Sequence, residues 1–287
     1  MKTKILLAAL FLSALTIGCN GNDDNETVSF TAEEATANAQ LDIMNNDVSQ
    51  IVENQATAQD GFTGRDSQDA QDYLPTCATV TRIPEFGTGL ETGQLVTKTI
   101  DFGTSGCPLS NGNILKGKII VTFTYEPNAT SHTINYTFDN FYHNAIKFDG
   151  NKTFTRVMGT SSANAETHPI VTMNMDFTAT FPNGNVYHRV GSRVREITAG
   201  FNTPNILADN VYQVTGSWTT TLAGTPVLSS TITTPLIVKL NCGNIVEGVI
   251  EYERNGNTAS LDYGDGECDN QAVFTFNGTP HTIVLGN

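Results

Sequence analysis

Val171-Thr172-Met173-Asn174-Met175-Asp176-Phe177-Thr178-Ala179-Thr180 alternates apolar and polar residues without a fault. A period of two puts successive side chains on opposite faces of an extended chain, so this stretch reads as a β-strand with one buried and one wet face. The same rhythm recurs at Ile119, Val121, Phe123 and Tyr125, and at Ile134, Tyr136 and Phe138. Turn chemistry separates the runs: Glu126-Pro127-Asn128, Asp149-Gly150-Asn151, Pro182-Asn183-Gly184, Arg254-Asn255-Gly256 and Asn277-Gly278. Asn-Gly and Asp-Gly between alternating runs are strong hairpin signals. From Cys77 onward the chain therefore reads as about 12–15 strands in an antiparallel meander. So many strands with one apolar face are expected to form a curved sheet, a sandwich or an open barrel. Residues 73–287 are assigned to this β domain.

One segment breaks the pattern. Over residues 31–58, Ala37, Leu41, Met44, Val48, Ile51 and Gln55 recur three and four apart, which predicts one amphipathic helix. Thr31 and Glu34 stand at capping-box spacing at its start. The apolar stripe must lie on something: its own β domain, as expected here, or a partner. Residues 59–72, rich in Gln, Asp, Gly, Ser and Thr, lack periodicity and read as a linker.

The amino terminus is an address. Lys2 and Lys4 precede an apolar run from Ile5 to Ile17, broken only by Ser13 and Thr16. As a helix this spans about 20 Å, too short for a bilayer core of about 30 Å. It reads as a secretion signal over residues 1–18. Leu15-Thr16-Ile17-Gly18-Cys19 resembles the lipobox of bacterial lipoproteins, with Leu one position further from the cysteine than usual. The resemblance implies cleavage after Gly18 and a lipid on Cys19. Residues 19–30 then form a tether whose opening, Asn20 to Glu26, is polar and acidic and cannot bury enough surface to fold. The acidic cluster resembles the surface-export signal of Bacteroidetes lipoproteins. Asn20 fits outer-membrane delivery, on the periplasmic face or the cell surface.

Charge is unevenly spread. Residues 20–72 hold 12 acids against one base, Arg65, whereas residues 73–287 hold 17 acids against 12 bases. This balance argues against nucleic acid and anionic lipid as partners. The membrane partner is expected to be reached through the lipid alone.

Besides Cys19 there are four cysteines, Cys77, Cys107, Cys242 and Cys268. An even number in an exported chain implies disulfides, and four allow three connectivities. An internal echo favours one. Cys77 opens a strand whose partner ends in Asp101-Phe102-Gly103 and then Cys107; Cys242 opens another whose partner ends in Asp262-Tyr263-Gly264 and then Cys268. The ends of a hairpin face each other, so Cys77–Cys107 and Cys242–Cys268 are predicted. The echoed phrases TIDFGTSGCPLSNGNILKGKIIVTF (99–123) and LDYGDGECDNQAVFTFNG (261–278), with the lipobox, resemble a Flavobacteria-type family of hypothetical Bacteroidetes lipoproteins. That resemblance implies location and β architecture, and no activity.

Catalytic signatures are missing. The chain contains no Gly-x-Ser-x-Gly, no His-Glu-x-x-His and no Gly-x-x-x-x-Gly-Lys-Ser/Thr. His132, His143, His168, His188 and His281 are scattered, and read as solvated or singly hydrogen-bonded. Glu251 and Glu253 share one strand face, the ordinary arrangement of a wet sheet. Threonine rows at 219–221 and 231–234 suit such a face, and Trp218 suits the core. Asp262, Asp265, Glu267 and Asp269 cluster on a glycine-bearing loop, the oxygen-rich chemistry Ca²⁺ takes. The echoed loop at 101–107 keeps the turn without the other acids, which favours turn chemistry. No other cofactor is called for. The expectation is a lipid-anchored envelope protein, not an enzyme, with a binding or structural role toward an unknown protein, glycan or small ligand. The alternative is a surface or periplasmic hydrolase of glycan or cell-wall material.

Overall fold

A computed structural model describes residues 30–58, 74–203 and 206–286. The signal at 1–18, Cys19, its tether and the linker at 59–72 lie outside the described residues. Among the described residues, the chain makes one α-helix, α1 (Ala32–Ala58), a short 3-10 turn at Leu207–Asp209, and fourteen strands. They are β1 (Thr79–Ile83), β2 (Leu95–Asp101), β3 (Cys107–Pro108), β4 (Ile114–Thr124), β5 (Ser131–His143), β6 (Ile146–Gly159), β7 (His168–Thr180), β8 (Val186–Ala199), β9 (Val211–Leu222), β10 (Leu228–Lys239), β11 (Ile245–Arg254), β12 (Asn257–Asp265), β13 (Gln271–Phe276) and β14 (Thr279–Val284).

All pairings are antiparallel and run in chain order, with the two-residue β3 set beside β4. The meander is thus as predicted, and it is an open curved sheet: β1 and β14 are its two ends and do not pair. The turns at Asn255-Gly256 and Asn277-Gly278 have all four residues at positive φ, the geometry that favours Asn-Gly between twisted strands. Asp149-Gly150-Asn151 is a correction. It lies inside β6, with Gly150 opposite Phe177, and the β5–β6 turn falls at Asn144 instead. Gly150 has φ 120° and passes so close to β7 that a β-carbon would sit 2.6 Å from the Asp176 carbonyl oxygen. Gly117 does the same in β4, at a bulge. Such positions bend strands, and they let this sheet curl.

It curls around α1. The expected stripe, Leu41, Met44, Val48 and Ile51, is buried, but so are Asn38, Asp42, Asn45, Gln50 and Gln55. The helix lies against its own sheet and is enclosed on its polar side as well. Thr31 caps it, its Oγ1 accepting from the Glu34 amide at 3.1 Å. The Glu34 carboxylate does not complete the capping box; it pairs with Arg254 on β11. Phe30 meets Phe276 of β13 edge-on, 5.0 Å between centroids.

On β7 the alternation is borne out: Val171, Met173, Met175, Phe177 and Ala179 are buried. The opposite phase faces out and is polar. One rung runs across seven strands as Thr122, Asn135, Thr153, Asn174, Ser192, Ser217 and Thr231. Thr219, Thr221, Thr231, Thr233 and Thr234 are likewise exposed, as suits hydroxyls on a wet face, but Thr220 is a correction: it falls on the inward phase of β9 and is buried. No helix among the described residues is long and apolar enough to cross a membrane.

Candidate functional site

Among the described residues, the buried strand cations Lys98, Lys152, Arg189, Arg193, Arg195 and Arg254 lie along the seam between sheet and helix. Each meets α1. Arg189 donates to Asp42 Oδ1 and Asn38 Oδ1, both at 2.7 Å, and Arg193 donates to the same Asp42 oxygen. Tyr263 on β12 donates to Asp42 Oδ2 at 3.2 Å. Arg195 reaches Glu53 and Gln50, Lys98 the Gln55 carbonyl, and Lys152 the Asn45 side chain. Aromatic faces complete the shell. Trp218, in the core as predicted, lies under Arg189 and Arg193, with guanidinium carbons 5.2 and 3.9 Å from its ring.

Burial disfavours ionisation of Asp42, but Arg189 and Arg193 outweigh it and hold the carboxyl below its ordinary value. Lys152 has no carboxylate. Burial, then Arg193 and Arg189, push its amine well below the ordinary lysine range. Burial likewise raises the Tyr136, Tyr252 and Tyr263 hydroxyls. Nearer the helix centre, Asp47 accepts from Asn111 Nδ2 at 2.9 Å, Asn113 Nδ2 at 2.8 Å and His143 Nε2 at 2.8 Å. Most of these groups are buried, Asn111 being exposed and Glu53 partly so, and they are engaged with one another. Chemically the seam is a clamp on α1. A void of about 20 Å³ among Asp42, Asn45, Ser49, Arg193 and Arg195 is large enough for a single water.

Among the described residues, two of the hollows that open at the surface gather polar groups. One, of about 500 Å³, is polar and gathers Glu166, His168, Asn202, Thr203 and Asp209. Its side chains satisfy one another: Asn202 donates to Glu166 at 3.0 Å and Thr203 to Asp209 at 2.6 Å. His168 is fully buried, with Nδ1 against the Glu166 carbonyl at 2.7 Å and Nε2 against Glu196 at 3.0 Å. The other is a cleft of about 330 Å³ between the two cysteine-bearing loops, floored by α1.

Cys77 and Cys107 lie at disulfide distance, 5.7 Å between Cα atoms, as do Cys242 and Cys268 at 5.5 Å. The pairing matches the echo, and the echo is structural. Asp101 Oδ1 accepts from the Gly103 amide at 2.8 Å, and Asp262 Oδ1 from the Gly264 amide at 2.9 Å. Phe102 and Tyr263, between those residues, are both buried. The two units touch: a β-carbon on Gly243 would lie 3.5 Å from Asn111 Cβ.

Asp262, Asp265, Glu267 and Asp269 are exposed; Asp269 Oδ1 accepts from the Gln271 amide at 3.0 Å. Among the described residues, no three His, Cys, Asp or Glu side chains gather in a metal-holding arrangement. Glu251 and Glu253 face out, and Glu253 accepts from the Gly256 amide at 2.7 Å. His188 is exposed and paired with Asp176, and His281 is exposed. His143, buried and bonded to Asp47 through Nε2, fits the singly hydrogen-bonded reading, whereas His168, buried with two partners, departs from it. The residues missed altogether are the seam cations. Their signal was phase: Arg189, Arg193 and Arg195 fall in step with Tyr187 and Ile197, and Lys98 with Val96 and Ile100.

No family model matches the chain, and no curated protein or solved structure matches it.

Proposed function

We propose that this chain is a lipid-anchored, non-catalytic module of a diderm bacterial envelope, delivered to the outer membrane on its periplasmic face or at the cell surface. Cys19 carries the anchor, and the helix-filled sheet is a rigid platform for a ligand or partner. The observation that supports this most is the seam. The buried charges are spent on holding α1 in place rather than presented to a substrate. α1 in turn ties the anchor to the sheet, since the residues between Cys19 and Phe30 can extend only about 35–40 Å.

Metabolic labelling with a tritiated fatty acid, followed by intact-cell proteolysis, tests the reading. Label on the wild-type chain and none on Cys19→Ala is expected, with proteolysis separating the two orientations. A mature protein with no acyl mass at its amino end would overturn it.

A further inference from the structure

The cleft between the crosslinked loops has the makings of a ligand site. Its volume of about 330 Å³ falls at the lower end of the range for small-molecule pockets, about 300–1,000 Å³. Aliphatic side chains line it, Ile51, Leu109, Leu240 and Ile245 among them, interleaved with polar groups, and no aromatic side chain among the described residues does. Its polar lining is mostly neutral: Ser110, Asn111 and Asn244 supply hydroxyl and amide groups. Among the described residues Asp47 is the one charged residue in the lining, and Asn111, Asn113 and His143 already engage it.

Those features select for a ligand. A charged group entering would lose water without gaining a counter-ion, a cost of several kcal/mol. A flat ring would find no face to stack on. An aliphatic body would shed water against the walls, and an amide edge would exchange hydrogen bonds with the rim. The walls are also pre-set. Each is tied back by its own cysteine pair, and the two loops meet at Gly243 and Asn111. A preformed cleft avoids much of the ordering cost of binding. The cleft floor at Gln50 lies about 27–30 Å along α1 from Phe30, at 1.5 Å per residue, so it is set well apart from the point where the tether enters.

We propose that this cleft binds a neutral molecule with an aliphatic body and an amide-type hydrogen-bonding edge. The proposal rests on reading the chain as a binding module. Its failure would leave the anchor intact, because acylation of Cys19 is measured separately.

The test uses the full mature chain carrying Cys19→Ser, with labelled Ile, Leu and Val methyl groups, titrated by NMR with hexanamide, hexanoate, hexylamine and benzamide. Hexanamide should shift the methyls of Ile51, Leu109, Leu240 and Ile245 saturably. The two charged probes and benzamide should bind at least tenfold more weakly. Ser110→Trp, at an exposed position on the rim, should abolish the shifts while leaving the rest of the spectrum in place. Asn244→Asp should raise hexylamine binding above that of hexanoate. No saturable shift with hexanamide, shifts outside the cleft, or equal binding of the charged probes would each overturn the proposal.

Discussion

Asp42→Asn isolates the clamp. The side chain is fully buried and shared by Arg189 at 2.7 Å, Arg193, and Tyr263 at 3.2 Å. Asn keeps the shape but removes the charge, leaving two guanidinium groups in the core without their counter-ion. Removing one partner of a buried ion pair costs about 3–5 kcal/mol, a large part of the roughly 5–15 kcal/mol that holds a domain together. With a urea slope of about 3 kcal/mol per molar, the midpoint should fall by about 1–2 M. Trp218 is the single tryptophan and sits against both guanidinium groups, so its fluorescence reports on this place. Replacing the trio together, as Asp42→Leu, Arg189→Met and Arg193→Leu, should recover most of the loss. Well-packed apolar groups often match a buried ionic cluster. If Asp42→Asn cost under about 1 kcal/mol, or if the triple variant were as unstable as the single one, the clamp would not be what holds α1.

The remaining predictions rest on the same geometry. Asp42 has a native pKa below 3.8, so its stabilisation is complete above that value and lost as pH falls further; acid titration of Trp218 fluorescence should show a transition below pH 3.8 that Asp42→Asn lacks. Lys152 is the opposite case. Its native pKa lies well below 10.5, so the unfolded chain binds more protons in that window and stability rises with pH across it. Lys152→Met should therefore be more stable than wild type at pH 7, and the advantage should vanish above pH 10.5 in urea melts. Gly117→Ala would place a β-carbon 2.0 Å from the Asn140 carbonyl oxygen and should cost over about 2 kcal/mol, several degrees in a circular-dichroism melt. Gly89→Ala, with open space around it, should stay within about 0.5 kcal/mol of wild type. Cys77→Ser with Cys107→Ser should lose about 3–4 kcal/mol in the chain-entropy account, read from the urea midpoint.

Much of the architecture was legible because it rests on local rules. The β7 alternation and the Asn-Gly turns each depend on a few neighbouring residues. So did the cysteine pairing, since hairpin ends must meet. Asp149-Gly150-Asn151 misled because its glycine serves a close approach between strands, a tertiary reason that a turn motif imitates. The helix was legible as a helix but not as an enclosed one. Its Asn, Asp and Gln residues look like a wet face unless the opposing cations are noticed. Those cations were visible only as period-two members on the apolar phase, as with Arg254 after Ile250 and Tyr252.

That phase accounts for part of the charge asymmetry of the chain. An acidic amino-terminal segment ahead of a nearly balanced β domain looks like a solubility feature. Glu34, Asp42, Asp47 and Glu53 instead belong to α1 and face inward. A sheet of about eight strands can close around side chains alone, whereas fourteen enclose more width than side chains fill. A helix about 10–12 Å across can occupy such a space. A fully apolar helix would do so without fixing its rotation or depth. A helix carrying acids and amides, opposed by cations at set positions on β2, β6, β8 and β11, has one seat in which the buried charges are matched, since misplacement strands charge in the core. On this account the inward acids of α1 specify how the helix is seated, and the open sheet holds its curl because the helix it encloses is clamped from many sides.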